Sequence, residues 1–286
     1  MTNTNAFISE ICAERGITYD AYSHGYILRL TKGNQVRRLY GNYWDLNSAT
    51  ADRLACDKCG CYTLLHASGI PAIAHTLVYN PATRGDWAGE EGTMQTALAY
   101  FEKHNRRVVV KPNHGTQGRD VYLCKTPLEL EKALMTVFAN APDAALSPYV
   151  DIGMEYRVFY LAGRAYFMYG KARGESWKHN LADGATAFEL TAESADANLQ
   201  AELAALATRA AQCIGIQFAS IDIAHLADGS LAIVEINSGV MAVRLLAQLP
   251  HLRPTIKDMY AEAVDLLFAS DGSACKTAAG NIEVQL

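Results

Sequence analysis

The chain has 286 residues, of which 50% are hydrophobic and 19% charged, and its formal net charge is −5. This composition is typical of a globular protein with a substantial core, and the acidic balance argues against nucleic acid and membranes as partners. No apolar run approaches the roughly 18 to 20 residues that span a bilayer, and the N-terminus lacks the basic and apolar segments of a signal peptide. We therefore expect a cytoplasmic protein.

The first part of the chain, residues 1–50, predicts a short α+β lobe. Residues 5–15 have the apolar spacing of a helix, and the segments YILRL and QVRRLY predict a hairpin around Gly33. Residues 50–68 then predict one helix, which ends at Gly69 because glycine favours the left-handed conformation that often follows a helix.

Three cysteines lie close together in this predicted helix, at Cys56, Cys59 and Cys61. A metal or redox site is one interpretation, but no second Cys/His pair follows at zinc-finger spacing. Small apolar cysteines on a helix are usually packing residues, and without an export signal we expect the seven cysteines of the chain to be reduced thiols. We therefore interpret the three residues as part of the helix packing.

The rest of the chain alternates between short apolar strands and amphipathic helices, without an internal repeat or a clear linker. This mixture predicts an α+β fold with helices packed on antiparallel sheets. The predicted helices cover residues 93–104, 127–139, 197–213 and 255–269, and the predicted strands lie near 72–78, 108–110, 121–124, 145–150, 155–161, 164–171, 218–226 and 231–237.

Two carboxylates and an amide occur on the last predicted hairpin. Asp222 is on its first strand, and Glu235 and Asn237 follow thirteen and fifteen residues later on its second strand. Period-two alternation places Glu235 and Asn237 on one face, and the hairpin turn can bring Asp222 beside them. These oxygen ligands suit Mg²⁺, with Mn²⁺ as an alternative ion, whereas polar residues on a solvent-facing hairpin are the simpler explanation. Against the simpler explanation, Asp222 and Glu235 interrupt apolar runs, where an unpaired carboxylate is costly.

A second polar signal is the loop that follows the apolar strand VVV. Lys111 leaves this strand, and the loop NHGTQGRD contains Gly115, Thr116 and Gly118. Glycines let backbone N–H groups approach phosphate oxygens, and the lysine supplies a positive charge, so the segment is suited to bind a nucleotide. The P-loop pattern G-x-x-x-x-G-K-[ST] is absent, and a simple hairpin turn is the alternative interpretation.

The order of these signals resembles the ATP-grasp carboxylate–amine ligases, such as D-alanine–D-alanine ligase, glutathione synthetase and the glutamate ligases that modify ribosomal protein tails. The resemblance covers residues 50–268 and includes Lys58 in DKCGCYTLLHASGIP, Lys111 before the glycine loop, the segment SPYVDIGMEYRVF, and the closing D-x₁₂-E-x-N spacing. It implies an ATP-grasp fold, in which two α+β lobes clasp ATP after a short N-terminal lobe. The corresponding division is an N-terminal lobe at 1–50, a central subdomain with the glycine-rich loop at 51–150, a C-terminal subdomain with the metal site at 151–270, and a flexible tail at 271–286.

The resemblance also implies which residues contact ATP and its metal ions. In the family, the backbone of the hinge, here Tyr149 and Val150, reads the adenine edge. Glu155 would then hold the ribose hydroxyls, and Lys171 would lie near the γ-phosphate. The full implied set for ATP is Lys58, Lys111, Gly115, Thr116, Gly118, Tyr149, Val150, Glu155 and Lys171, and the set for two Mg²⁺ ions is Asp222, Glu235 and Asn237.

A basic segment, KARGESWKHNLADGA, resembles the R-x-N-L-x-x-G-G segment of the ribosomal-tail ligases, with Ala185 in place of the second glycine. The resemblance implies that its cations, with one from the preceding strand, neutralise the acyl phosphate and the oxyanion formed when the amine attacks. A salt-bridged surface is the alternative. The residues implied as catalytic are Arg157, Arg173, Lys178 and Asn180.

Two positions depart from the family pattern. Ser220 stands where the D-alanine–D-alanine ligases have an arginine, two residues before the metal aspartate, so the oxyanion role would fall to another cation, such as Arg173 or Lys178. The segment SGVM, which begins at Ser238, replaces the usual proline–glycine stretch that borders the substrate pocket. Ser238 and Arg244 are therefore candidate substrate residues, and Arg244 is a candidate clamp for a substrate carboxylate.

The function that the resemblance implies is an ADP-forming ligase, which joins a carboxylate to an amine through an acyl phosphate. We expect ATP and Mg²⁺ as cofactors and an amino acid or peptide as substrate, and a homodimer is the oligomer that such ligases often form. His114 and His179 are either proton carriers or solvated loop residues. Two alternatives stay open: a phosphotransferase on the same fold, and a non-catalytic ATP-binding sensor module.

Overall fold

The computed structural model describes residues 3–88, 91–115, 118–190 and 197–269. Within these residues the chain forms helices and three antiparallel sheets, which confirms the predicted α+β class. The N-terminal elements are α1 (Asn3–Glu14), β1 (Thr18–Tyr22), β2 (Ile27–Lys32), β3 (Gln35–Tyr40), β4 (Tyr43–Trp44), α2 (Ala49–Cys56) and α3 (Lys58–Ala67). The central elements are β5 (Thr76–Tyr79), α4 (Met94–Lys103), β6 (Val108–Pro112), β7 (Tyr122–Cys124), α5 (Pro127–Phe138) and β8 (Asp143–Pro148). The C-terminal elements are β9 (Ile152–Leu161), β10 (Arg164–Ala172), β11 (Thr186–Glu189), α6 (Ala197–Ile214), β12 (Phe218–Leu226), β13 (Leu231–Asn237), α7 (Val243–Gln248) and α8 (Arg253–Leu267).

The N-terminal sheet, of strand order β1-β2-β3-β4, shares a hydrophobic core with the C-terminal elements. Trp44 is stacked on Tyr260 of α8 at a centroid distance of 5.9 Å and lies edge-on to Phe218 of β12 at 5.2 Å. Buried Asn47 adds polar contacts, because its side-chain oxygen accepts hydrogen bonds from the backbone N–H groups of Gln217 and Phe218, each at 2.9 Å. The short first lobe is therefore fastened to the strand that carries Asp222.

The central sheet, of order β5-β8-β6-β7, is covered on one face by α4 and α5. Along β6 the side chains alternate: Val108 and Val110 are buried against the helices, whereas Val109 and Lys111 line a cleft on the opposite face. Helix α5 begins with a capping box, in which Thr126 accepts a hydrogen bond from the N–H of Glu129 and the Glu129 carboxylate accepts one in return. The alternation in β6 is what carries Lys111 to the cleft.

The C-terminal sheet has the order β11-β10-β9-β12-β13, and α6 covers one of its faces. Small residues of α6, including Ala207 and Ala211, are fully buried and let the helix approach the sheet closely. The register aligns polar residues of neighbouring strands on the face away from α6: Arg157 is opposite Asp222, and Asp222 is opposite Glu235. The sheet thereby gathers charges from three strands at one place.

The predicted helix over 50–68 is wrong in one respect, because it is two helices, α2 and α3, with a break at Asp57. Asp57 has extended backbone angles (φ −92°, ψ 100°), and its side chain caps α3 by accepting a hydrogen bond from the N–H of Gly60. Cys59 and Cys61 are buried on α3, whereas Cys56 ends α2 and is only partly buried. The apolar pattern runs through the break, and only the capping geometry reveals it.

Most other predicted elements are confirmed within a few residues, including the hairpins at Gly33 and at residues 227–229. The predicted strand near 72–78 is shorter and begins at Thr76, although Ala72 forms an isolated parallel bridge with Ile233. Strands β1, β4 and β11 and helix α7 were not predicted. In the part of the chain that the structure describes, no helix is long and apolar enough to cross a membrane. The predicted tail at 271–286 lies outside the described residues.

Candidate active site

A cleft of about 660 Å³ lies where the three sheets meet. Its walls come from β6 and the glycine loop, from the charged face of the C-terminal sheet, and from the N-terminal lobe. Among the described lining residues, seven are lysine or arginine and three are carboxylates, although the whole chain is acidic. The lining cations are Lys58, Lys111, Arg119, Arg157, Lys171, Lys178 and Arg244, and the carboxylates are Glu155, Asp222 and Glu235. Such an excess of positive charge suits a polyanionic ligand.

Four charged side chains form a compact ionic cluster on β9, β10 and β12. The Arg157 guanidinium binds Asp222 in a forked geometry, with Nε donating to Oδ1 at 2.7 Å and Nη2 donating to Oδ2 at 2.5 Å. Lys171 Nζ also donates to Asp222 Oδ1, at 2.9 Å, and forms an ion pair with Glu155. Both oxygens of Asp222 are therefore engaged by cations, and the cluster contains two positive and two negative groups.

The cluster shifts the pKa values of its members in opposite directions. Burial alone would raise the pKa of Asp222, but Arg157 and Lys171 hold it well below its ordinary range. Burial raises the pKa of Glu155, although the nearby Lys171 opposes that shift. For Lys171, burial would lower the pKa, but Asp222 and Glu155 raise it. Lys171 and Asp222 therefore stay charged at neutral pH, and each depends on its partners to do so.

Glu235 and Asn237 stand beside this cluster on β13 and are less constrained. The Asn237 amide donates to Glu235 Oε1 at 3.1 Å, and both side chains are only partly buried. In the described residues, the second Glu235 oxygen and the Asn237 amide oxygen have no hydrogen-bond partner. These two oxygen donors fit an octahedral cation such as Mg²⁺, whereas Asp222 could bind one only if Arg157 or Lys171 moved away.

Lys58 begins α3 and is held against the glycine loop. Its Nζ donates to the backbone oxygens of Gly115 at 2.7 Å and Asn113 at 3.3 Å. Asn113 is fully buried and connects the same two segments, because its side chain accepts a hydrogen bond from the N–H of Cys59 and donates one to Asp57. The break between α2 and α3 therefore serves to fix Lys58 over the loop.

Lys111 is the lysine whose pKa differs most from its ordinary value. Removal from water lowers the pKa of Lys111 to about 8; Glu235 opposes this shift and Lys58 adds to it. No ion pair or hydrogen bond of the Lys111 ammonium occurs in the described residues. An uncompensated cation in a cleft wall is stabilised by an anionic ligand.

We expect the affinity for MgADP to fall as the pH rises through about 8, by up to about tenfold per pH unit, because only the protonated Lys111 attracts phosphate. In the ligand-free protein the sign is opposite: a depressed pKa makes this residue's contribution to stability increase as the pH rises above 8. Calorimetric titration from pH 7 to 9.5 measures the affinity. The Lys111→Arg variant stays charged throughout, so its profile should be flat, and equal slopes in both proteins would contradict the assignment.

The glycine loop contacts the basic segment of the C-terminal part. Gly118 has a positive φ of 69°, and a Cβ atom at this position would lie 2.5 Å from Asn180 Nδ2. Asn180 itself caps a short turn, with Oδ1 accepting a hydrogen bond from the N–H of Ala182 at 3.0 Å. Gly115 lines the cleft, and Thr116 lies outside the described residues. Loop and basic segment thus close over the cleft together.

We expect Gly118→Ala to weaken MgADP binding by about tenfold, because alanine is strained at this φ by about 1–2 kcal/mol and its Cβ displaces Asn180. Gly229→Ala is the matched control: Gly229 has a φ of 84°, but no atom lies within 4 Å of its would-be Cβ, and it is outside the cleft. Equilibrium binding and thermal melting separate the two effects. Equal loss of affinity in both variants would mean that backbone strain alone is responsible.

The predicted hinge, Tyr149 and Val150, lies between β8 and β9 and lines the cleft. The N–H of Tyr149 donates to the carbonyl of Arg107 at 2.9 Å, and the Arg107 guanidinium lies 4.4 Å from the Tyr149 ring centroid. The Trp177 ring lies 6.0 Å away on the cleft side. The hinge is therefore held firmly and borders an aromatic surface.

The predicted cations of the basic segment separate into two groups. Arg173 is not brought to the cleft; it is partly exposed and pairs with Asp151 at 3.3 Å on the surface. Lys178 does line the cleft, with its Nζ 5.9 Å from the Trp177 ring centroid. His179 is not a solvated loop residue, because it is buried with its two ring nitrogens 3.0 and 3.1 Å from the carbonyl oxygens of Lys171 and Ile152. His179 therefore braces the start of β9 against the end of β10.

Ser238 and Arg244, the predicted substrate residues, line the end of the cleft beyond Asn237. Sequence reasoning missed several other lining residues there and near the hinge. Their only sequence signals are a Gly-Asn turn between aromatic residues at 40–43 and a cation directly after Gly118, both weak alone. The missed residues are Tyr26, Asn42, Tyr43, Arg119 and Trp177.

Comparison with known proteins agrees with this architecture. Residues 128–246 match a family model described as an ATP-grasp domain, clade family 3. A probable alpha-L-glutamate ligase from Haemophilus ducreyi is 25% identical over 196 residues, which are 68% of this chain and 57% of that protein. The D-alanine–D-alanine ligase from Bacillus anthracis has a TM-score of 0.58 at 17% identity, covering 77% of this chain and 68% of its own. The D-cycloserine synthetase DcsG has a TM-score of 0.54 at 22% identity, covering 75% and 71%.

The three β-sheets, the cleft between them and these matches define one class of protein. The chain has the ATP-grasp fold and belongs to the ATP-grasp superfamily, as its sequence motifs predicted. It spans about 57% of the length of the glutamate ligase that it matches.

Proposed function

We propose that the protein is an ATP-dependent, ADP-forming ligase that joins a carboxylate to an amine. The observation that carries this proposal is the cleft itself, in which seven cations and three carboxylates surround a glycine loop in an ATP-grasp fold. The glutamate ligase and the D-alanine–D-alanine ligase, which this chain resembles, carry names of the same reaction class. A cytoplasmic location, a homodimer and the division into lobes at 50, 150 and 270 remain predictions.

The cleft fits ATP by its charges and its apolar surface. Lys58, Lys111 and the loop at Gly115 would bind the phosphates, because two cations and the flexible backbone converge there. Apolar side chains such as Ile73, together with the hinge at 149–150, would enclose the base. The same D-alanine–D-alanine ligase complexed with ATP matches this chain with a TM-score of 0.57.

Glu155 and Lys171 take a shared role in this scheme. Because Glu155 is buried and ion-paired with Lys171, a ribose hydroxyl would have to share its carboxylate with that lysine. Lys171 in turn is held by Asp222 and would keep its charge near the transferred phosphoryl group. The pair would therefore connect nucleotide binding to the reacting end of the cleft.

Glu235 and Asn237 are the residues that would hold Mg²⁺ first, since their oxygens are not taken by cations. When bound, the ion neutralises phosphate charge and orients the phosphoryl group for in-line attack. Asp222 joins this set only if its contacts with Arg157 or Lys171 are broken. In the arrangement described here, Asp222 instead anchors the two cations.

The proposed reaction has two displacements. The substrate carboxylate attacks the γ-phosphorus, an oxygen–phosphorus bond forms, and the bond to ADP breaks, giving an acyl phosphate. The amine then attacks the acyl carbon, a carbon–nitrogen bond forms, and phosphate leaves while the nitrogen loses its proton. No covalent enzyme intermediate is needed, so the side chains act by positioning and by charge.

Arg157 is the cation best placed to stabilise the oxyanion. Ser220 leaves the position two residues before Asp222 without a charge, and Arg173 lies on the surface. Arg157 lies on the neighbouring strand directly opposite Asp222 and lines the cleft. We assign it the role for which the sequence suggested Arg173 or Lys178, and Lys178 remains a second cation at the hinge side.

The first experiment is a panel of amino acids and short peptides, singly and in pairs, incubated with MgATP. Release of ADP and phosphate is measured, and products are identified by mass spectrometry. Phosphate release that requires a pair, with a product lighter than the pair by one water, supports the ligase. ADP without free phosphate and a product heavier by one phosphoryl group would replace the ligase by a phosphotransferase. Tight ATP binding without turnover across the panel would favour a sensor module instead.

A further inference from the structure

One end of the cleft has a chemistry that differs from the charged interior. Beyond Asn237, the outer wall consists of Tyr26, Asn42, Tyr43, Cys56, Met241 and Arg244. These residues come from the N-terminal lobe, from the end of α2 and from the segment that leads into α7. The wall is therefore built by parts of the chain other than the phosphate-binding loop.

The outer wall is joined to the proposed metal-binding strand through a line of polar contacts. Ser238, the residue after Asn237, places its Oγ 3.9 Å from the Cys56 Sγ. That Sγ lies in turn 3.5 Å from the Tyr43 hydroxyl. The wall thus begins one residue from the reacting end of the cleft, where a second substrate would sit.

Two tyrosines give the outer wall a firm aromatic surface. Tyr26 is 52% exposed and Tyr43 is 37% exposed. The Tyr26 ring is fixed on two sides, because it packs edge-on to Tyr40 at 4.8 Å and covers Gly41, where a Cβ atom would lie 3.2 Å from the ring. Exposed aromatic rings held in place favour contact with an apolar or aromatic group of a ligand.

Arg244 is the charged residue of the outer wall. It is exposed at the cleft rim, and no ion pair or hydrogen bond of its guanidinium occurs in the described residues. The three carboxylates that line the cleft, Glu155, Asp222 and Glu235, lie on the charged strands instead. A single unpaired guanidinium beside aromatic rings matches one carboxylate next to an apolar side chain.

We infer that the outer wall binds the amine substrate, and that this substrate is a free α-amino acid with an aromatic or large apolar side chain. The substrate that is activated loses its carboxylate to the acyl phosphate, whereas the amine substrate keeps its own carboxylate, which would pair with Arg244. Its side chain would lie on Tyr26 and Tyr43. The inference builds on the proposed ligase function and adds a substrate class to it, one without the second carboxylate of glutamate.

The test measures binding without turnover, by calorimetric titration of the MgADP-loaded protein. The probes are phenylalanine in both enantiomers, phenylalaninamide, glycine and glutamate. We expect one enantiomer of phenylalanine to bind at least about tenfold more tightly than the other three probes, since a charge-assisted hydrogen bond contributes about 1.5–3 kcal/mol and an aromatic contact about 0.5–1.5 kcal/mol. Tighter binding of glutamate, or equal binding of phenylalanine and its amide, would overturn the inference.

Four variants locate the effect. Arg244→Gln should remove the preference for phenylalanine over phenylalaninamide, and Tyr26→Ser should weaken phenylalanine about threefold to tenfold while leaving glycine unchanged. The matched controls are Arg38→Gln and Tyr22→Ser, which alter an exposed arginine and an exposed tyrosine of the same lobe outside the cleft. If the controls reproduce either effect, the outer wall is not the site.

The outcome separates this inference from the proposed function. If phenylalanine binds with the expected pattern but no pair of substrates yields a coupled product, the binding site stands and the ligase proposal fails. If coupled products form from amines that lack an apolar side chain, and Arg244→Gln changes none of them, the ligase stands and the inference about the outer wall fails.

Discussion

The Glu235→Gln variant is expected to lose ATP-dependent turnover by about 100-fold or more while keeping its fold, because it removes a negative charge from the proposed metal site. The side chain is only partly buried and its described partner is the amide of Asn237, whose hydrogen bond the glutamine oxygen can still accept. Turnover is measured as ADP release with the substrates found in the panel, and the fold is monitored by circular dichroism and thermal melting.

The control for this substitution is Glu131→Gln, which removes the same charge from an exposed position of α5. It should match the parent protein in turnover and melting temperature. A second measurement titrates Mg²⁺ at fixed ATP, where Glu235→Gln should require a higher concentration for half-maximal activity. Full activity of Glu235→Gln at the same Mg²⁺ concentration would remove Glu235 from the metal site.

Replacing Arg157 by methionine should destabilise the protein by about 3 kcal/mol, since breaking a buried ion pair leaves Asp222 with Lys171 as its remaining cation. The sign of the pH dependence follows from the pKa of Asp222. Burial would raise that pKa, but Arg157 and Lys171 lower it, so the ion pair stabilises the fold above the ordinary pKa of aspartate and loses this effect as the pH falls below it. The variant should therefore unfold in acid at a higher pH than the parent protein.

Arg164→Met is the matched control, because Arg164 lies next to the turn between β9 and β10 and pairs with Glu262 at an exposed position. Its loss should cost about 0–1 kcal/mol. Urea denaturation at pH 7 and at pH 4 measures both variants. A free energy of unfolding for Arg157→Met within about 1 kcal/mol of the control would show that Asp222 does not depend on Arg157, and would also weaken the proposed oxyanion role.

The sequence revealed the fold class and the main motifs because these depend on local patterns. The alternation in β6 predicted a buried strand that ends at Lys111, and the spacing from Asp222 to Glu235 and Asn237 predicted a hairpin that brings them together. Both predictions required only the period of a strand and the geometry of a turn. The break at Asp57 was missed because the apolar pattern continues through it, and a capping residue is visible only with its backbone angles.

Contacts between distant segments could not be predicted in the same way. Arg157 and Asp222 are 65 positions apart, and their pairing depends on the register of β9 against β12. Nothing in the basic segment distinguishes Arg173, which lies on the surface, from Lys178, which lines the cleft. The burial of His179 between two carbonyl oxygens is equally invisible in a loop sequence.

By itself, the sequence determined that this is an α+β protein of the ATP-grasp class, since helix and strand periods and the order of the motifs are properties of neighbouring residues. The tertiary structure decided which charges meet in the cleft, that both oxygens of Asp222 are held by cations, and that tyrosines of the first lobe form the outer wall. These features depend on strand register and on packing between segments far apart in the chain, such as Trp44 against Phe218. Such long-range contacts are fixed by the complete core, and no local pattern of residues specifies them.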